Sequence, residues 1–245
     1  MLKTDKGYAQ LFKIYGKSET EVKDKLGDIL KKNGEITVTT RRRNKEVHVL
    51  AECEEQDEES AKTKIKPVAK DIKKALGIMI YSTKEHETME EAVVRLLAKY
   101  ELTVTTAESC TGGMIASKIV NVPGASDVFN EGFITYSNKA KRKLLDVSKN
   151  TLKKYGAVSE QTAKEMALGG VFAADADACV AVTGVAGPDG GTDEKPVGLV
   201  YIACCLKDEV TVKECHFHGT RMEIREQSAN AALDLLRSSI LENYR

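Results

Sequence analysis

Two apolar runs, Ala176 to Ala186 and Val197 to Leu206, constrain the fold of this chain more than any other feature. Both are strand-sized and far short of the roughly 20 apolar residues that a membrane-spanning helix needs. Within them Ala178 to Thr183 and Val197 to Leu206 are nearly continuous rather than alternating, the pattern of strands covered on both faces. Such strands require helices on either side, and the neighbouring segments supply them. Met89, Ala92, Val93, Leu96, Leu97 and Tyr100 keep helical spacing behind the capping box Thr88-x-x-Glu91. Leu102 to Ala107 reads as a strand, Thr111 to Val120 as a small-residue helix, and Gly132 to Tyr136 as a strand. Helices follow around Lys139 to Leu145 and Glu160 to Ala174, then a strand at Val210 to Phe217. A terminal helix carries Ala229, Ala232, Leu233, Leu236 and Ile240 on one face. The expected class is α/β: a three-layer α/β/α domain around a mixed sheet whose last two strands are antiparallel.

The first eighty residues follow another grammar. Tyr8, Leu11, Phe12 and Ile14 mark a strand; Ser18 opens a helix through Val22, Leu26, Ile29 and Leu30 that Gly34 closes. Ile36 to Thr40 and Val47 to Ala51 flank a charged turn, Arg41 to Lys45, and a second helix ends near Leu76-Gly77. This is a small α+β module. Ser82 to Thr88, polar and without large apolar residues, reads as a linker, which divides the chain into domains 1–82 and 83–245.

Charge restricts the partners. The whole chain carries 37 Lys+Arg against 37 Asp+Glu, with 18 against 14 in residues 1–82. Only Arg41-Arg42-Arg43 is dense, so a nucleic-acid partner is left open there without being demanded. The six cysteines form no C-x-x-C pair and sit mostly in apolar stretches, where a reduced thiol packs as a small hydrophobe. His216-x-His218 lacks further ligands at metal spacing, so no metal and no cofactor are expected. The N-terminal Met-Leu-Lys-Thr-Asp-Lys has no apolar signal core. A soluble cytoplasmic protein, with no membrane partner, is the expectation.

Three segments could carry chemistry. Ala107-Glu108-Ser109-Cys110-Thr111-Gly112-Gly113 leaves a strand and opens a helix, with Ser109 at the strand end and the N–H groups near Gly112 and Gly113 expected to point outward, free for an anion or an oxyanion. A plain strand-to-helix turn is the other reading. Cys110 competes as nucleophile but has no nearby His, which favours packing. No His-Asp pair is evident to serve Ser109, so a Lys is the candidate base. Tyr136-Ser137-Asn138-Lys139-Ala140-Lys141 follows a strand end, and Lys141 is bracketed by Ala140, Leu144 and Leu145. To act at neutral pH it must be desolvated, with Arg142 as a further cation nearby; the competing reading is a solvated lysine. The third segment, Thr183-Gly184-Val185-Ala186-Gly187-Pro188-Asp189-Gly190-Gly191-Thr192, lacks P-loop spacing but can bring its backbone near a ligand. Arg221 and Arg225 sit where cations oppose the helix dipole, a hint of an anionic partner.

Six motifs in order, A-E-S-C-T-G-G (107–113), V-P-G-A-S (122–126), G-F-I-T-Y-S-N-K-A-K (132–141), G-A-V-S-E (156–160), V-T-G-V-A-G-P-D-G-G (182–191) and K-P-V-G (195–198), closely resemble the CinA C-terminal family. Its members include competence/damage-inducible proteins and stand-alone nicotinamide-nucleotide amidohydrolases. Residues 8–82 resemble the KH-like middle region of the longer members, although they contain no G-x-x-G, the loop on which RNA clamping by KH domains relies. The resemblance implies hydrolysis of the carboxamide of nicotinamide mononucleotide to nicotinic acid mononucleotide and ammonia, without metal, by a homodimer. It implies Ser109 as nucleophile, Lys141 as base and Tyr136 as a nearby relay. Substrate binding is assigned to Glu108, Thr111, Gly112, Gly113, Asn138, Thr183, Gly184, Ala186, Gly187, Gly190 and Arg225. The alternative class is a non-catalytic nucleotide-sensing or scaffold protein of the competence/DNA-damage response.

Overall fold

The computed structural model describes residues 1–31, 34–43 and 45–244, in two compact units, Met1–Thr88 and Met89–Arg245. The first contains β1 (Leu2–Thr4), β2 (Gly7–Tyr15), α1 (Glu19–Leu26), β3 (Ile36–Arg43), β4 (Glu46–Cys53), α2 (Glu58–Leu76) and β5 (Ile80–Ser82). Its antiparallel sheet runs β1-β2-β4-β3, with β5 also paired to β2. Period-two alternation buries Val47, Val49, Ala51 and Cys53 of β4 against Val22 and Leu26 of α1 and Ile65 and Ile72 of α2. This is the expected α+β module, with three differences. α1 stops at Gly27, which takes a positive φ of 48° at the C-cap, and Ile29 and Leu30 lie in a 3-10 turn; Gly34 does not close the helix. Arg41, Arg42 and Arg43 extend β3, paired with His48, Val47 and Glu46, rather than forming a turn, and Asn44 lies outside the described residues. Ser82 to Thr88 is ordered and belongs to the first unit. The buried Lys13 ammonium donates to the Glu87 carbonyl (2.8 Å) and the Glu85 carbonyl (3.4 Å), and the Ser82 hydroxyl binds the Glu87 carboxylate. A buried cation needs such acceptors, and this requirement folds the polar segment back.

The second unit comprises α3 (Met89–Lys99), β6 (Val104–Glu108), α4 (Met114–Val120), β7 (Gly132–Ile134), α5 (Asn138–Leu145), α6 (Lys149–Tyr155), α7 (Glu160–Ala174), β8 (Ala178–Gly184), β9 (Leu199–Leu206), β10 (Glu209–His216) and α8 (Arg221–Asn243). The sheet order is β10-β9-β8-β6-β7. β7, β6 and β8 are parallel; β9 and β10 run antiparallel to their neighbours. The two apolar runs of the sequence become β8 and β9 at the centre. α7, with α5 and α6 beside it, covers one face of the sheet, and α8, with α3 and α4, covers the other. Contact on the α7 side is close because Gly170 has no side chain: a Cβ there would come within 2.4 Å of the Cys179 sulfur. The mixed three-layer class expected from the sequence is the observed one. Among the described residues no helix is long and apolar enough to cross a membrane.

Candidate active site

Parallel strands β7, β6 and β8 end on one edge of the sheet, and the chain departs there through the segments singled out from the sequence: after Ile134, after Glu108 and after Gly184. Crevices outside the carboxyl ends of parallel strands are where α/β sheets collect ligands. Ser109 is the first residue beyond β6, and its N–H still bonds to the Val182 carbonyl of β8 at 3.0 Å. The next four residues make a tight turn in which Gly112 (φ 59°) and Gly113 (φ 92°) occupy the left-handed region.

This turn is held from three directions, and its hydrogen bonds differ from the expected ones. Gly112 N–H donates to the Ser109 carbonyl at 3.1 Å, so it does not point outward. Gly113 N–H donates to the Glu108 carboxylate at 2.9 Å, and the same carboxylate accepts from Ile115 (3.1 Å) and Ala116 (2.9 Å). Glu108 is wholly buried and uses both oxygens to cap α4 from within, a geometry that corrects its reading as a substrate ligand. A carboxylate at a helix N-terminus meets unpaired N–H groups and the positive end of the dipole, which makes it a stable plug. The N–H groups of Cys110 and Thr111 have no backbone acceptor among the described residues, and Thr111 is wholly buried. The third hold is Arg225 of α8: its Nε donates to the Cys110 carbonyl at 3.0 Å and its Nη2 to the Thr111 carbonyl at 2.7 Å.

Lys141 enters from α5, capped by the Ser137 hydroxyl. Its side chain is 0% exposed, and Nζ lies 2.8 Å from Ser109 Oγ and 2.7 Å from the Thr135 carbonyl. Burial pulls its pKa down from 10.5 to about 8, with Cys110 acting weakly the other way. The exposed Arg142 is not among the causes. Burial pushes the Cys110 thiol up to about 11, so at neutral pH it is a packed thiol and not a thiolate. The hydroxyls of Thr111 and Thr135, both buried, have no partner among the described residues.

The remaining positions fall on the rim or in the scaffold. Tyr136 is 63% exposed and its hydroxyl accepts from Arg221 Nη2 at 3.2 Å; among the described residues no bond joins it to Ser109 or Lys141. Arg221 also donates from Nη1 to the Gly187 carbonyl at 2.7 Å, tying the glycine-rich loop to Tyr136. Asn138 is exposed at the start of α5. Thr183 donates its hydroxyl to the Ala157 carbonyl at 2.7 Å and so holds the segment before α7. Gly184 and Gly187 are required by packing: a Cβ at either would sit 2.6 Å from a methyl of Val200 or Val197. Ala186 is buried, whereas Gly190 is exposed with open space around it. Sequence reasoning had no means of finding the Arg225 clamp or the Arg221 bridge, because both span more than thirty residues of chain. Among the described residues no three His, Cys, Asp or Glu side chains are grouped to hold a metal ion.

Comparison with known proteins gives this geometry a lineage. Residues 86–240 match the family described as CinA C-terminal domain. The chain belongs to the CinA family. Residues 9–82 match the damage-inducible protein CinA KH domain. A CinA-like protein of Kosmotoga olearia is 45% identical over 96% of this chain and 57% of its own length. The chain thus spans little more than half the length of such curated relatives. Two solved structures are also similar: the competence/damage inducible protein CihA of Agrobacterium tumefaciens, 41% identical with a TM-score of 0.60 over 64% of this chain and 99% of that one, and a CinA superfamily protein of Escherichia coli, 36% identical with a TM-score of 0.59 over 66% and 98%.

Proposed function

We propose that the second unit is a serine amidase that hydrolyses the carboxamide of nicotinamide mononucleotide to nicotinic acid mononucleotide and ammonia. One observation carries the chemistry: a fully buried lysine amine 2.8 Å from a serine hydroxyl at the carboxyl end of a parallel sheet. The choice of substrate rests on the resemblance to the CinA C-terminal family. A lysine of ordinary pKa is neutral at pH 7 in only about one molecule in several thousand, whereas one of about 8 is neutral in about one in ten. Desolvation therefore raises the population of competent base by a factor of a few hundred.

In the reaction Ser109 Oγ attacks the carboxamide carbon as Lys141 takes its proton. The oxyanion that forms on the former carbonyl oxygen is met by the N–H of Cys110, the residue next to Ser109 in the turn. The Lys141 ammonium returns its proton to the amide nitrogen, ammonia leaves, and an acyl-Ser109 remains. Water, deprotonated by the again neutral Lys141, releases the carboxylic acid. Tyr136, Arg221 and the loop around Gly187 form the rim against which the rest of the nucleotide lies.

The test is ammonia release from nicotinamide mononucleotide by the purified chain, with Ser109→Ala as the blank. Wild type should turn over while Ser109→Ala falls by several orders of magnitude and still binds the nucleotide. Tight binding without turnover in wild type would replace the amidase with a nucleotide sensor.

A further inference from the structure

Ser109 and Thr135 occupy matching positions on neighbouring strands. Glu108 pairs with Ile134 in the parallel register of β6 and β7, so each of the two residues is the first beyond its strand. The Thr135 N–H donates to the Glu108 carbonyl at 2.7 Å and the Ser109 N–H to the Val182 carbonyl at 3.0 Å, which carries the ladder one step past the strand ends. Both residues are buried, and the Lys141 amine of α5 reaches both: Ser109 Oγ at 2.8 Å and the Thr135 carbonyl at 2.7 Å. Among the described residues these are its two partners, and no carboxylate forms an ion pair with it. The charged groups nearby are engaged elsewhere or face water. Both oxygens of Glu108 are taken by α4, Glu165 of the packed α7 is bonded to Ser148 and Thr151, Cys110 is held neutral by burial, and Arg142, Lys143 and Asp146 are exposed.

An ammonium has three N–H donors and no lone pair; once a proton is lost, the amine keeps two donors and gains one acceptor site. To take the Ser109 proton the lone pair must face Oγ, and that orientation is fixed by anchoring an N–H elsewhere. We infer that the main-chain carbonyl of Thr135 is the positioning acceptor of the base: it holds one Lys141 N–H and so turns the lone pair toward the Ser109 hydroxyl, an assignment that rests on the amidase reading. When Ser109 attacks, its O–H bond breaks and a new Nζ–H bond forms on the lone pair, while the bond to Thr135 stays in place through the transfer. The same carbonyl favours the charged amine, because hydrogen bonds to a charged form stabilise it, and so limits how far burial weakens proton binding. Since parallel pairing fixes Thr135 beside Ser109, the register of β6 and β7 sets the geometry of nucleophile and base together.

The experiment replaces Tyr136 by its α-hydroxy-acid analogue through amber suppression, which changes the amide between Thr135 and Tyr136 into an ester and keeps every side chain. An ester carbonyl is the weaker acceptor, since it lacks the electron density that an amide nitrogen donates. The nitrogen removed carries an N–H with no backbone acceptor among the described residues, so no other main-chain bond is lost there. Lys141 is titrated directly by isotope-edited NMR of its Cε, a readout that needs no turnover. The expected result is a fall in the kcat plateau on nicotinamide mononucleotide of about tenfold with KM unchanged, together with a shift of the Cε titration and of the ascending limb of kcat/KM to lower pH by about half a unit or more. A kcat within about twofold of wild type with an unmoved titration overturns the inference. So does a lowered kcat with an unmoved titration, which marks a disturbed rim at Tyr136 instead of a weakened acceptor. Ser109→Ala, with its backbone intact, supplies a second arm: in its crystal structure at alkaline pH, Nζ should remain within about 3 Å of the Thr135 carbonyl. An amine that has swung away shows that Ser109 and not Thr135 held it, which overturns the inference even where the ester protein fails to fold. If wild type releases no ammonia, the amidase reading fails by itself, and the titration and the Ser109→Ala structure still decide whether Thr135 holds the amine.

Discussion

At the residue scale, the burial that suits Lys141 to the proposed role of base costs stability. Its pKa is lowered to about 8 because the fold withholds water, so kcat/KM should rise with pH through about 8 and level off above it. Lys141→Arg keeps the charge but cannot deprotonate, and should be nearly as inactive as Lys141→Ala in the same pH series. The stability consequence has a definite sign. Between about 8 and 10.5 the unfolded chain holds a proton on this amine that the folded chain has lost, so wild-type stability climbs with pH in that window and carries the full penalty below it. Lys141→Met removes the penalty and forfeits the bond to the Thr135 carbonyl. It should be more stable than wild type by about 2 kcal/mol at pH 7, a gap that closes as pH rises toward 10.5 in denaturant melts. Cys110, with its thiol pushed up to about 11, should tolerate Cys110→Ala with activity within a fewfold and resist alkylation at neutral pH. Ser109 and Lys141 were both visible as candidates from motif position. The family resemblance paired them; residue spacing by itself did not, since a lysine beside Ala140 and Leu145 also reads as a solvated helix residue.

At the scale of elements, the connection from β6 to α4 shows how a strand end is joined rigidly to a helix start. Glu108 closes the strand and then satisfies three N–H groups of the turn and helix that follow, which ties Ser109 and the helix together. Glu108→Ala should strand these buried donors and cost about 3 kcal/mol, read as a lowered midpoint in urea. Glu108→Gln keeps one acceptor oxygen but turns an amide N–H₂ toward a donor, and should lie between the two. The sequence reading treated Gly112 and Gly113 as ligand-facing because strand-to-helix turns leave N–H groups unpaired, and the resemblance added Glu108 to the substrate-binding set. Which group pairs with them depends on side-chain direction at the strand end, and motif spacing does not carry that information. Element boundaries followed a similar rule: α7 appeared where periodicity placed it, while α1 ended early at Gly27 and short elements such as β1, β5 and α6 left no periodic signal.

For the whole molecule, the division into Met1–Thr88 and Met89–Arg245 places every candidate catalytic group in the second unit. Solved CinA superfamily chains that align over nearly their full length cover only 64 to 66% of this one, so a fold of that size stands without a counterpart to the remainder. A chain beginning at Thr88 should therefore fold with a cooperative melt and keep its amide hydrolysis within severalfold; an insoluble or inert product would mean that the first unit completes the site. The sequence by itself determined the α/β class, because continuous apolar strands between amphipathic helices bury their surface in few ways, and it determined which residues with nucleophilic or basic chemistry lie at strand ends. Only the tertiary structure decided that Lys141 is dry, that Glu108 is spent on a helix, and that Arg221 and Arg225 grip loops far away in the chain. Local pattern encodes which face of an element is apolar. The pKa of an amine and the partner of an N–H are set by every atom within a few ångströms, and those atoms are brought together from distant positions only when the chain folds.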